Sequence, residues 1–256
     1  MDLQKIKDII ANKADHIALK KSTIKFADGW FTPNTIIKQA TVKNDNTEDT
    51  GVLTKDIVGN TNYWLDSHGD VHLPSNWSKT ISDGGRKFHL HDHEFKITSQ
   101  VGRIKNLEEK DLSWRELGVD KDGYTSSLIA TTEIQKALNE TIYNSYKNNE
   151  IDQHSVGMRY VKLSFAVDPN VSDEDKEANE VWNEVYPKLG NPDKADENGF
   201  FWAVREAKLI EISAVLMGSN SLTPTLDNKQ KPLDNTSDNE VAEKSLQESF
   251  FNNLKF

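Results

Sequence analysis

Phe200-Phe-Trp-Ala-Val-Arg-Glu-Ala-Lys-Leu-Ile-Glu-Ile-Ser-Ala-Val-Leu-Met217 reads as β-structure along its length. Ile210, Ile212, Ala214 and Leu216 alternate and form the apolar face of a strand, while Glu211 and Ser213 share the opposite face. A carboxylate inside so apolar a segment needs a partner or a shifted pKa. Orienting a histidine would supply that partner. Glu206, in the same run, is a second carboxylate to weigh.

Upstream, Val156 to Val167 is another strand, and Ser155 stands at its entry after the polar turn Asn148 to Gln153. A serine hydroxyl is a poor nucleophile unless a base takes its proton. Gly157 permits close backbone approach of a substrate. A serine opening a strand is nevertheless far more often structural than catalytic. His89-Leu-His-Asp-His93 supplies imidazoles, the natural bases near neutral pH. On an extended segment from Phe88 to Phe95, His89, His91 and His93 would face one way. That pattern fits a catalytic base or a zinc site, and a polar strand face near solvent is the plain alternative. It is one residue short of the His-x-His-x-Asp-His motif of metallo-β-lactamase-like hydrolases, and only His154 follows later.

Further out, Leu3, Ile6, Ile9 and Ile10 predict a helix over 2–13. His16 to Phe26, Thr35 to Val42 and Val52 to Trp64 read as strands. Ser75 would cap a short helix through Ile81, and Asp83-Gly-Gly-Arg86 is a turn. Ile97 to Ile104 and Thr125 to Thr131 read as extended. Ile134, Leu138, Ile142 and Tyr146 recur every four residues and predict a helix over 132–148. Ser172, followed by three acidic residues, would cap a helix ended by Pro187 and Gly190. The fold class is α+β, with an antiparallel sheet or small barrel and helices around it. Residues 1–226 form the domain, with a helical insert at about 170–198. From Asp227 the composition turns to Asn, Asp, Ser, Lys and Gln, which predicts a disordered tail, weakly helical at its end.

The 256 residues carry 41 acidic and 31 basic side chains, a net charge of -10. That argues against a free-standing nucleic-acid binder. With no cysteine, disulfides and thiolate chemistry are excluded. Met1 to Ala14 is charged and amphipathic and does not resemble a signal peptide, and no run nears the ~20 apolar residues that span a bilayer. The expectation is a soluble, intracellular protein.

A histidine, a serine and a carboxylate beside strands suit a serine hydrolase triad, which is defined by geometry and roles. Four segments in order also resemble the tailed-phage prohead (capsid maturation) proteases, a family akin to the herpesvirus assemblins. They are Asp66, Gly69, Asp70 and Pro74; the 91–93 cluster with Val101-Gly-Arg103; Ser155-Val-Gly-Met158; and Glu206, Leu209, Glu211, Ser213 and Val215. The resemblance implies an assemblin-like barrel and a serine endopeptidase. Its nucleophile would be Ser155, its base His93 with His91 as the alternate, and its third member Glu211 with Glu206 as the alternate. The oxyanion loop would be Gly218, Ser219 and Asn220. The resemblance further implies scaffold segments, the major capsid protein and the protease itself as substrates. It implies self-association within the procapsid in the host cytoplasm, with no metal or organic cofactor, no nucleic acid and no membrane. Two rival functions stand beside it. One is an inactive capsid-assembly scaffold of the same fold. The other is a metal-dependent hydrolase using His89, His91 and His93.

Overall fold

The computed structural model describes residues 2–25 and 49–226. The strand expected over Thr35 to Val42 and the tail expected from Asp227 lie outside them. In chain order the elements are α1 (Leu3–Ala11), α2 (Lys13–Ser22), β1 (Val52–Thr61), β2 (Asp70–His72), α3 (Ser78–Asp83) and β3 (Phe88–His91). Then come β4 (Gln100–Ser113), β5 (Tyr124–Gln135), α4 (Glu140–Lys147), β6 (His154–Val167), α5 (Lys176–Val185), α6 (Pro192–Asn198), β7 (Phe200–Ala214) and β8 (Thr225–Leu226). The chain is thus mixed α and β, with eight strands and six helices among the described residues.

β7 organises the sheet. β6 pairs antiparallel along one edge of β7. On the other edge β2 pairs at Trp202–Val204 and β3 at Glu211–Ala214, both parallel. The expected all-antiparallel sheet is therefore corrected at these two ladders. α3 fills the gap between them. Thr80 Oγ1 donates to the Ala207 carbonyl at 3.1 Å and accepts from the Leu209 N–H at 3.0 Å. β3, β4, β5, β1 and β8 continue the sheet in that order. Among the described residues no ladder joins β6 to β1 or β8, so the sheet is open by hydrogen bonding. It still wraps one core. Ile57 of β1, Leu128 of β5, and Val156 and Ile212 of β6 and β7 share a single buried cluster. Gly59 makes the close approach possible, since a Cβ there would lie 2.9 Å from Ile212 Cδ1.

One residue count inside β7 matters for function. Gly157 pairs with Glu211, but Met158 pairs with Leu209, leaving Ile210 as a bulge. The bulge shifts the side-chain phase. Leu209, Ile212 and Ala214 face the core, and Ile210 and the 93 % exposed Leu216 do not. The apolar face expected from strict alternation is corrected accordingly. Glu211 and Ser213 keep the opposite face.

Other expectations shift for local reasons. The strand expected from His16 is replaced by helix as far as Ser22: Ala, Leu and Lys dominate Lys13–Ser22, which is helix α2, and Phe26 lies outside the described residues. The helix expected over 132–148 divides, because Thr132 and Ile134 pair in β5 and Asn139 caps α4 through a 3.0 Å bond from the Ile142 N–H. Asp175, not Ser172, caps α5. Ser75 caps nothing, being held in a turn at φ 68°; Trp77 precedes α3. Ile97–Ser99 is a 3-10 turn, and the strand after it runs on to Ser113.

The Asp66-x-x-Gly-Asp70 stretch pins the N-terminal arm. Asp66 Oδ1 accepts from the His68 and Asp70 N–H groups at 2.8 and 3.0 Å. The two carboxylates grip buried Lys25 Nζ at 2.6 and 2.7 Å, and Asp70 also takes Lys20 and the Tyr160 hydroxyl. Burial opposes the Asp70 charge, but Lys25 and Lys20 outweigh it and hold the carboxyl below its usual range. Lys25 in turn bridges Met158 on β6 through its backbone.

Candidate active site

β3 ends because Asp92 and His93 both turn to positive φ, 52° and 55°. The three histidines therefore do not share a strand face. His89 points into the protein and His91 pairs with Asp92 at 3.0 Å. His93 swings over β7, where its Nδ1 lies 2.6 Å from Glu211 Oε1. Among the described residues no three His, Cys, Asp or Glu side chains converge as metal ligands.

Ser213 locks this pair from below. Its hydroxyl donates to Glu211 Oε2 at 2.6 Å and accepts from the His93 N–H at 3.1 Å. Both carboxylate oxygens are thus engaged, as a fully buried charge requires. Ser155 stands opposite Ser213 in the ladder, and Gly157 opposite Glu211. Residues two apart in a strand share a face, so Ser155 and Gly157 lie on the side of Glu211 and Ser213. The Ser155 hydroxyl is buried and has no hydrogen-bond partner among the described residues. The serine–histidine bond of a closed triad is not made in this structure.

Gly157 has a clear steric reason. A Cβ there would overlap Glu211 Oε1, so the missing side chain makes room for the carboxylate. Gly157→Ala is therefore expected to push Glu211 off His93 and to destabilise the fold by about 1–3 kcal/mol. Urea denaturation would measure this, and an unchanged midpoint would contradict the packing described.

Glu206 lies elsewhere, paired with Lys162 at 3.2 Å. Gly218 backs against the His154 carbonyl, beside Ser155. Ser219 accepts from the Ser67 N–H at 3.0 Å. Asn220 is committed to holding its loop on β1, donating to the Thr61 carbonyl at 2.8 Å and accepting from the Leu222 N–H at 3.1 Å. Next to the His93 turn, Ile24, Phe95 and Ile210 with Arg159 and Lys208 line a depression of about 390 Å³.

Behind β6 runs a buried relay. His154 Nδ1 lies 2.8 Å from the Thr223 carbonyl, which only accepts, so Nδ1 carries the proton. His154 Nε2 must then accept from the Tyr146 hydroxyl at 2.8 Å. Tyr146 in turn accepts from His89 Nε2 at 3.1 Å, and His89 Nδ1 accepts from Thr132 Oγ1 at 2.9 Å. Both rings are neutral, and burial pushes His89 down to about 3 and His154 down to about 4. Tyr146 was legible only as part of a helix face and His154 only as the one histidine after the 89–93 cluster, since the relay joins residues from five separate segments.

No family model, curated protein or solved structure matches this chain. No helix among the described residues is long and apolar enough to cross a membrane.

Proposed function

We propose that this chain is a serine endopeptidase of capsid maturation. The observation that carries it is a buried, unpartnered Ser155 hydroxyl on the same strand face as a His93–Glu211 pair. Buried hydroxyls are nearly always bonded, and one left open calls for an explanation. In this reading Ser155 attacks the scissile carbonyl. Glu211 keeps the His93 proton on Nδ1, which makes Nε2 the base that takes the serine proton and returns it to the leaving amine. Ser213 holds Glu211 in place. The N–H groups of Gly218 and Ser219 are the oxyanion donors, because the Asn220 side chain is already engaged.

The motif order supports the assignment to the prohead proteases, and the wrapped sheet fits an assemblin-like barrel opened between its end strands. The substrates would be scaffold segments, the capsid protein's pro-segment and the protease itself, cut inside the procapsid in the host cytoplasm by a self-associating enzyme. The rival is an inactive scaffold of the same fold, which the open serine–histidine bond also suits.

A fluorophosphonate probe separates the two. It is expected to modify Ser155, and His93→Ala should slow labelling by ~100-fold or more. Because the hydroxyl is buried, labelling should be followed over hours. A chain that never labels, while its fold is intact, would favour the scaffold.

A further inference from the structure

We propose that the groove between α3 and β4 docks an acidic, partly apolar polypeptide segment. In a chain of net charge -10, most surface is expected to be acidic. This groove of about 720 Å³ departs from that: Arg86, Lys87, Arg103 and Lys105 line it, and no carboxylate does. Among the described residues no acid pairs with Arg86, Lys87 or Arg103, and Lys105 alone meets one, Glu133 at 3.4 Å. Four cations gathered with one counter-charge repel each other, and an incoming anion relieves that repulsion.

The groove is also shaped for a chain. Gly84 and Gly85 turn its rim at φ 61° and 79°, and a Cβ on Gly84 would meet nothing within 4 Å. The Arg86 guanidinium is set over the Phe88 ring at 4.8 Å, which holds it ready for a carboxylate. Half-buried Ile81, Ile104 and Leu107 give the groove aliphatic lining. Phe88 pairs with Arg103 on one side and Glu211 on the other, so the groove opens two strands, roughly 10 Å, from Glu211. A peptide leaving the site across the sheet would enter it. Four cations on an acidic protein are a weak hold for a nucleic-acid backbone, and no ring lining the groove offers a base a stacking surface. That the docked segment belongs to the substrate rests on the peptidase reading; the docking itself does not.

The test is fluorescence anisotropy of the full chain with a short labelled peptide rich in Glu and Leu, against the same peptide with Gln for Glu. The Glu peptide should bind at least ~10-fold more tightly and weaken with salt. Arg86→Glu with Arg103→Glu, both exposed, should lower its affinity ~10-fold or more with an unchanged circular dichroism spectrum. Equal binding of the two peptides, or no effect of the double reversal, would overturn the proposal. Displacement by single-stranded DNA at lower concentration than by unlabelled peptide would overturn the polypeptide assignment. Binding is read without turnover. If the chain binds the peptide but never cleaves anything, the peptidase reading fails alone. If the double reversal leaves Ser155-dependent cleavage of a short neutral peptide intact but binding never depended on charge, the docking proposal fails alone.

Discussion

Ser155→Ala, co-expressed with the capsid protein whose pro-segment it would remove, is expected to trim at least ~1,000-fold more slowly than the intact chain. Removing the hydroxyl deletes the attacking atom. It also removes one buried oxygen that has no partner to leave unsatisfied, so stability should hold or rise slightly. Rates must be compared rather than end points, because binding and oxyanion donors sustain residual catalysis in triad variants. Glu211→Gln should cost less activity, since it alters the orientation and charge at His93 without touching the nucleophile. An equal trimming rate for Ser155→Ala would end the serine peptidase reading. Trimming by neither chain would transfer support to the scaffold.

Acid is expected to begin destabilising the domain near pH 6.5, before its carboxylates protonate. Burial pushes His72 and His154 from 6.5 to about 4, and His89 from 6.5 to about 3. Each folded value lies below the unfolded one. Between the two, the unfolded chain holds a proton that the folded chain refuses, so stability falls as pH drops through 6.5 and levels off below the folded value. Each ring contributes about 1.4 kcal/mol per pH unit, and the three together about 4 kcal/mol per unit. Typical domain stability is only about 5–15 kcal/mol, so two units are enough to consume much of it. Urea midpoints at about pH 7, 6 and 5 would show the decline. A midpoint constant down to pH 5 would mean that these rings are not held neutral as described.

The strands that matter most were the most legible. β6 and β7 show themselves through β-branched and aromatic residues, and the placing of Ser155, Gly157 and Glu211 on them followed from alternation and motif order. The choice of His93 over His91 as the partner of Glu211 agrees with the contact observed, but the expected strand geometry does not. Two successive positive-φ residues carry His93 there, and no apolar period announces such a turn. Lys25 was invisible as the partner of Asp66 and Asp70, because a pairing across some forty residues leaves no local trace. β2 and β3 run parallel to β7 for an equally distant reason. The short segments Asp70–His72 and Phe88–His91 take their direction from what lies between them, with α3 bridging the gap. The fourfold spacing from Ile134 to Tyr146 shows the reverse hazard, a period assembled by chance from two different elements.

The bulge at Ile210 makes the position of the carboxylate a question of parity. Leu209 and Ile212 both enter the core although three positions separate them, which a regular strand forbids. Were Ile210 to take a regular place in the ladder instead of bulging, everything from Glu211 to Ala214 would turn over. Ile212 and Ala214 would stand under the His93 turn, and the carboxylate would enter the apolar interior beside Val156 and Met158. Every residue of the cluster would still be present, in the same order and with the same immediate neighbours. An odd or an even count, rather than the identity of any side chain, decides whether acid and imidazole meet.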